Sequence, residues 1–416
     1  MNDLYILFVI TQIFSIIYWT KQLSFFSLMN IFTFIYNITY IYPYTYKLYG
    51  TDILFYDGLT RYNFFDNAII TAMLFKIIFD ISYFIVKKKE NTKLESNNRH
   101  KYYLNMIKYN YLIMIFILNS CIFLYSVGLD NLINPSGRFV GNYPKFINLT
   151  KAIFILELII VLMKVYSSKN KSGYTLLIVI FIFSLIYPML ISSRSVVFPF
   201  IVFTAISIIF KHYKSAFISL FFSAVFLITA LQDRADVGIY NFILKLNNGF
   251  ENLFSILEIL VNSMNSFMIF TLSLSGLSTG GINISPNPLL FVLYLSPLPS
   301  VFLPSYTYKY QSLNAFYNLG TGINADLLSE LTFWFGPLFI YFFAFFLAYL
   351  MKKIDTELFL TKNKSINILY SFYYFGFIIF TIMMTVASIR ASSRLIIYVF
   401  IIHMFILILR KNKSGK

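Results

Sequence analysis

Eight arginines occur in this chain, and six of them, Arg61, Arg138, Arg194, Arg234, Arg390 and Arg394, stand apart from the lysine clusters. A guanidinium offers a planar fork of donors that fits two phosphate or carboxylate oxygens at once. Arg194 lies in ISSRSVVFPF and Arg394 in ASSRLIIYVF, each in a short connection between apolar runs; Arg390 and Arg394 are four residues apart and share a face on a continuous helix. With Arg234 of the QDRAD run they form a candidate clamp for a diphosphate. A single arginine at a helix end more often snorkels to headgroups or caps the helix, so the argument rests on the set. The carboxylates on the same side include Asp236, Asp326 and Glu330. Asp326 and Glu330 are i and i+4 in INADLLSELTFW, where either could take a proton from a sugar hydroxyl, with Asn324 as the expected cap of that helix. Tyr308, among Tyr306, Tyr310, Tyr317 and Trp334, could stack on a sugar ring, although such aromatics also populate interfacial belts.

Other chemistries lack their residues. The histidines, His100, His212 and His403, all fall on or near the lysine-rich side, and Cys121 is the one cysteine, so neither a zinc site nor a histidine-based triad is expected across from the lysines. No GxxxxGK[ST] run occurs and no polar domain could hold a nucleotide; no cofactor is expected.

The elements that must carry these residues are membrane helices. With 58% hydrophobic residues and 12% charged, 416 residues expose more apolar surface than one soluble core could bury, which makes this an all-α polytopic membrane protein. At about 20 apolar residues per crossing, the runs number eleven: Leu4–Trp19, Leu23–Tyr42, Asn67–Val86, Tyr109–Leu129, Ala152–Val165, Tyr174–Ile191, Val196–Phe210, Ala216–Leu231, Leu331–Met351, Ile366–Ser388 and Leu395–Leu409. The first begins at Leu4 without a basic leader or a small-residue cleavage site, and reads as a retained span. The formal charge of +16 comes from lysines in short loops, so nucleic acid is not an expected partner. Those lysines (Lys87–Lys101, Lys169–Lys171, Lys211–Lys214, Lys352–Lys364 and Arg410–Lys416) fall on one side when eleven spans are threaded, which the positive-inside rule makes cytoplasmic. The N-terminus is then extracytoplasmic and the C-terminus cytoplasmic.

The same threading leaves one long extracytoplasmic loop, residues 232–330, in the second half of a single membrane domain. Within it Phe250, Leu253, Phe254, Leu257, Leu260, Val261 and Met264 recur at helical spacing, as in an amphipathic helix lying in the interface. A Gly/Ser/Thr turn region follows, then the proline-rich PNPLLFVLYLSPLPSVFLP, a poor regular helix. If the amphipathic stretch and Pro288–Pro304 cross instead, the spans number thirteen and sidedness is unchanged. Inside the spans, Lys76 and Asp80 stand i to i+4 as an expected pair, and Glu157 lies alone in mid-run.

The SSR segment Ser192–Arg194, the run LSPLPSVFLP and the segment GTGINADLLSELTFWFGPLF, set in this architecture, resemble the O-antigen and capsular repeat-unit polymerases, the Wzy family. The resemblance implies a polysaccharide polymerase of the bacterial inner membrane in O-antigen, lipopolysaccharide or capsule synthesis. Such an enzyme moves a growing glycan from undecaprenyl diphosphate onto the next lipid-linked repeat unit at the outer leaflet, without a metal. The implied partners are the undecaprenyl-diphosphate-linked oligosaccharide, membrane lipid and, as an open question, a chain-length regulator protein. A second long outer loop with a matching arginine motif, which some members carry, is not found here. An O-antigen ligase shares the architecture but tends to use an outer histidine. A flippase or transporter of the lipid-linked oligosaccharide should line its spans with polar residues and show inverted repeats.

Overall fold

The computed structural model describes residues 2–45, 64–86, 108–128, 131, 144–168, 171–191, 193–232, 238–252, 266–278, 288–295, 326–360, 368–383, 393, 396–401, 403 and 404. Among these the regular structure is entirely helical. Five helical stretches are long and apolar enough to cross a bilayer, at Phe64–Ile85, Tyr109–Val127, Gly173–Leu190, Tyr213–Ala230 and Pro337–Phe359; shorter apolar helices lie at Val197–Ile209, Phe267–Ser278 and Tyr370–Met383. Their outer faces match that setting. Phe84, Met114, Leu118, Phe342 and Leu338 are each more than 60% exposed, a density of bare apolar side chains that water would not tolerate but lipid does. The protein is a helical membrane protein. Its chain divides into two compact units, one formed by Met1–Asn91, Leu260–Lys362 and Phe372–Lys416, the other by Thr92–Ile259 and Asn363–Ser371.

In the first unit, α1 spans Asn2–Gln22 and α2 Leu28–Tyr36, the latter capped by Ser27, whose hydroxyl accepts from the Asn30 amide at 3.3 Å. The chain continues from α2 through a π-helical stretch, Asn37–Ile41, into one last turn, Tyr42–Thr45. α3 spans Phe64–Ile85. Stacked aromatics knit α2 to α3: the Phe32 and Phe79 rings are 4.3 Å apart and those of Tyr36 and Phe75 5.5 Å apart.

The second unit contains α4 (Tyr109–Val127), α5 (Pro144–Ser168), α6 (Lys171–Leu190), a 3-10 turn at Arg194–Val196, α7 (Val197–Ile209), α8 (Tyr213–Gln232), α9 (Ile239–Leu244) and α10 (Leu246–Glu251). α5 packs against α4, α6 and α7, around a core of Phe123, Val127, Ile147, Phe154, Tyr187 and Leu190. α10 meets α8 closely. A Cβ on Gly249 would lie 2.7 Å from the Val225 carbonyl oxygen, so glycine is what permits the approach.

The first unit is completed by α11 (Ser266–Ser278), α12 (Pro288–Leu295), α13 (Leu327–Phe335), α14 (Pro337–Asp355) and a π-helical extension, Thr356–Leu360; α15 (Ile368–Met383) contributes from Phe372 onward. Gly336, at φ 85, breaks α13 from α14, and Pro337 starts the new helix where its missing amide proton is not needed. The far end of α14 is tied back to α2. Asp355 is fully buried and accepts from the Leu28 amide at 2.8 Å, the Met29 amide at 3.2 Å and the Tyr83 hydroxyl at 2.5 Å, satisfying amides that α2 leaves open.

Two expectations need correction. The Gly/Ser/Thr region is helical as far as Ser278: α11 buries Phe267–Ser273 and packs on α3 and α13, its Thr271 and Ser273 hydroxyls donating to carbonyls one turn back. Hydroxyl residues settled this way no longer oppose a helix. In the proline-rich run, Pro288 opens a regular helix of about two turns rather than preventing one, because proline is tolerated in a first turn. Of the amphipathic stretch Phe250–Met264, α10 ends at Glu251 and residues 253–265 lie outside the described residues, as do 233–237, 279–287 and 296–325 of the long loop.

Candidate carboxylate site

Asp326 is the N-cap of α13, in place of the expected Asn324, which lies outside the described residues. Its backbone is extended and its side chain turns back over the first turn, where Oδ1 accepts from the Ser329 amide at 3.2 Å and from the Ser329 hydroxyl. Oδ2 accepts from the Tyr40 hydroxyl. That phenol arrives from the π-helical stretch after α2, 286 residues away in sequence. A π-helical turn holds an extra residue and so re-aims the side chains beyond it, here turning Tyr40 to the carboxylate while Tyr36 donates to the Ala72 carbonyl of α3 at 2.8 Å. The Tyr36 and Tyr40 rings lie 4.7 Å apart, and the Phe270 ring of α11 is 6.3 Å from Tyr40.

One turn along, Glu330 is also buried, and its Oε1 accepts from the Tyr294 hydroxyl of α12 at 2.7 Å. The Tyr294 ring lies 5.5 Å from that of Trp334. Two carboxylates at the start of one helix are thus each held by a phenol from a different helix. Both oxygens of Asp326 are occupied, and the positive end of the α13 dipole favours its anion.

Burial opposes these contacts and wins. It pushes the Asp326 carboxyl up from 3.8 to about 6, with the hydrogen bonds from Ser329 and Tyr40 pulling the other way. A carboxyl titrating near neutrality both accepts and returns a proton readily, which is what a general base requires. Asp326 exposes none of its surface, so a reacting hydroxyl reaches it only when the start of α13 opens or when the Tyr40 phenol is displaced. Among the described residues no group of three or more histidines, cysteines, aspartates or glutamates is arranged to hold a metal.

The structure therefore brings together two of the residues singled out by sequence, Asp326 and Glu330. Arg194 falls in the 3-10 turn before α7, and its side chain lies outside the described residues. Asp236, Arg234, Arg390, Arg394 and Tyr308 also lie outside them. Sequence reasoning missed Tyr40, Tyr294 and Ser329. Ser329 was within reach of it, since D-x-x-S three residues into a helix is a capping pattern; the two tyrosines sit in apolar runs like many others and carried no signal. No family model, curated protein or solved structure matches the chain.

Proposed function

We propose that this chain is a membrane glycosyltransferase: a polysaccharide repeat-unit polymerase of the bacterial inner membrane, transferring a growing glycan from undecaprenyl diphosphate onto the next lipid-linked repeat unit. The observation that carries the reading is Asp326, a buried carboxyl near its titration point, oriented on both oxygens at the start of a helix. In the proposed step an acceptor hydroxyl attacks the anomeric carbon and passes its proton to Asp326. The bond from that carbon to the diphosphate oxygen breaks, and the departing diphosphate keeps the electron pair. Arg194, Arg234, Arg390 and Arg394 neutralise it, while Glu330 and Asp236 stand as further carboxylates of the site and Tyr308 as a sugar platform. An O-antigen ligase would use the same groups on a different acceptor. The transporter alternative draws on a different observation, a lone carboxyl in mid-helix, Glu157.

The test is the surface-glycan profile of a deletion strain complemented with wild type, Arg194→Ala, Arg394→Ala or Asp326→Asn at matched expression. A polymerase gives single repeat units on deletion and a ladder on complementation, and Asp326→Asn cuts ladder synthesis by about 10²–10⁴, the usual value of a general base. Loss of the glycan cap with polymer left on its lipid carrier identifies a ligase. Loss of all surface glycan, with units trapped on the cytoplasmic leaflet, identifies a transporter and refutes the polymerase.

A further inference from the structure

The spans carry ionisable groups in both units, and the two are treated differently. In the first unit, Lys76 of α3 forms an ion pair with Asp80 one turn on, and the Gln12 amide of α1 donates to the other carboxylate oxygen at 2.9 Å. Charge, counter-charge and hydrogen-bond partner are all supplied, as in a structural pair. In the second unit Glu157 sits about 20 Å from one end of α5 and about 16 Å from the other at 1.5 Å per residue. It is 3% exposed, and neither carboxyl oxygen has a hydrogen-bond partner among the described residues.

Among the described residues no counter-charge stands at its level. Along α5, Lys151 lies six residues before it with its ammonium 4.7 Å from the Tyr187 ring of α6, and Lys164 lies seven residues after it, 4.8 Å from the Tyr109 ring of α4. The backbone positions of these lysines are about 9 Å and 10 Å from that of Glu157 along the helix axis, and each ammonium lies against a ring. On α4 the remaining titratable groups, Tyr111, Cys121 and Tyr125, are exposed; on α6, Lys171 stands at the first position and Tyr174 is exposed; α7 has none. One turn before Glu157 come Phe154 and, around it, Phe116 and Phe183, with ring centroids 6.0 Å and 5.9 Å away. Leu158, Val161 and Leu162 follow, all buried.

A carboxylate without a counter-charge is too costly in such surroundings, which leaves two arrangements: a neutral acid, or an acid wetted by water drawn in from one end. Either one exchanges its proton wherever water reaches it. Other polar atoms without a partner among the described residues lie on the helices packed against α5: Asn119 Oδ1 and Ser120 Oγ on α4, and Thr204 Oγ1 on α7. Asn119 donates to the Thr150 carbonyl at 3.1 Å, seven residues before Glu157; Tyr166 and Ser207 pair at 2.9 Å, nine residues after it. Polar groups thus flank Glu157 toward both ends of α5. We propose that Glu157 is a proton-exchange site in the membrane interior of the second unit, taking a proton from water onto its carboxylate and returning it. This rests on neither the polymerase nor the transporter reading.

Infrared difference spectroscopy on the purified, detergent-solubilised full chain tests it, because the carbonyl stretch of a protonated acid stands clear of the amide bands. The expected result is a protonated-acid band in wild type that shifts on transfer to D2O, declines as the pH is raised, and is lost in Glu157→Gln. Asp326 also titrates near neutrality and contributes its own band, so the assignment rests on variants: should Glu157→Gln fold poorly, Glu157→Asp, which keeps an acid at that place, is expected to shift the band, and an unmoved band overturns the proposal. If wild type and a folded Glu157→Gln show the same protonated-acid bands, Glu157 is ionised against a cationic partner and the proposal is overturned. A Glu157 band that neither exchanges with D2O nor responds to pH overturns it too, marking a sealed structural acid.

Discussion

Asp326 makes stability depend on pH in a direction opposite to that of an ordinary paired aspartate. Its carboxyl titrates at about 6 when folded and at 3.8 by ordinary chemistry, so between those values the folded chain holds a proton that the unfolded chain has lost. Stability is therefore complete below pH 3.8, falls as pH rises through the interval, and is level above about 6. The interval corresponds to about 3 kcal/mol, about half of it lost by pH 5 and the rest between pH 5 and pH 8. Asp326→Asn keeps one carbonyl oxygen to accept from Ser329, puts an NH2 where Oδ2 accepts from Tyr40, and cannot titrate. In mixed-micelle unfolding titrations, wild type should lose about 1–2 kcal/mol more than Asp326→Asn between pH 5 and pH 8, on the order of tenfold in the folding equilibrium. Other groups titrate alike in both proteins and cancel in the difference. Parallel curves, or a wild type that gains on the variant as pH rises, would show Asp326 to be solvated and the account of its burial wrong.

Tyr40→Phe removes a hydrogen bond to that carboxylate, worth about 1.5–3 kcal/mol to its charged form. Asp326 should rise further, and the pH of half-maximal polymerisation in reconstituted vesicles should move up by at least about one unit; an unchanged value excludes Asp326 as the base. Asp355→Ala orphans the Leu28 and Met29 amides and the Tyr83 hydroxyl, and should destabilise the first unit by about 3 kcal/mol or more. Mixed-micelle unfolding reads this loss, and a change under about 1 kcal/mol would mean that water reaches those amides. Gly249→Ala drives a methyl against Val225 and Thr229 and should cost about 1–3 kcal/mol, whereas Gly249→Ala combined with Thr229→Ala should recover part of it. If the single variant is neutral, α8 and α10 do not pack as closely as described.

The sequence by itself determined that this is a helical membrane protein, and its apolar runs mark the five long apolar helices found among the described residues. A membrane core admits only backbone that satisfies its own hydrogen bonds, so long apolar runs have one structural outcome, and composition alone reveals it. It also determined the Lys76–Asp80 pair and the shared helix of Asp326 and Glu330, because i to i+4 spacing is a local property of a helix. Local rules misled where a side chain resolves its own conflict: Thr271 and Ser273 return their hydroxyls to the backbone, and α11 forms where a turn was expected. Only the tertiary structure decided what surrounds each charged group. Tyr40 meets Asp326 across 286 residues, and Asp355 caps a helix more than 300 residues before it, pairings that no periodicity encodes. The same holds for Glu157. Its place in mid-run was plain from the sequence, but whether a counter-charge stood opposite depended on which faces of α4, α6 and α7 pack against α5. Burial and partner are properties of the packed chain, and they separate a structural carboxylate from one free to exchange a proton.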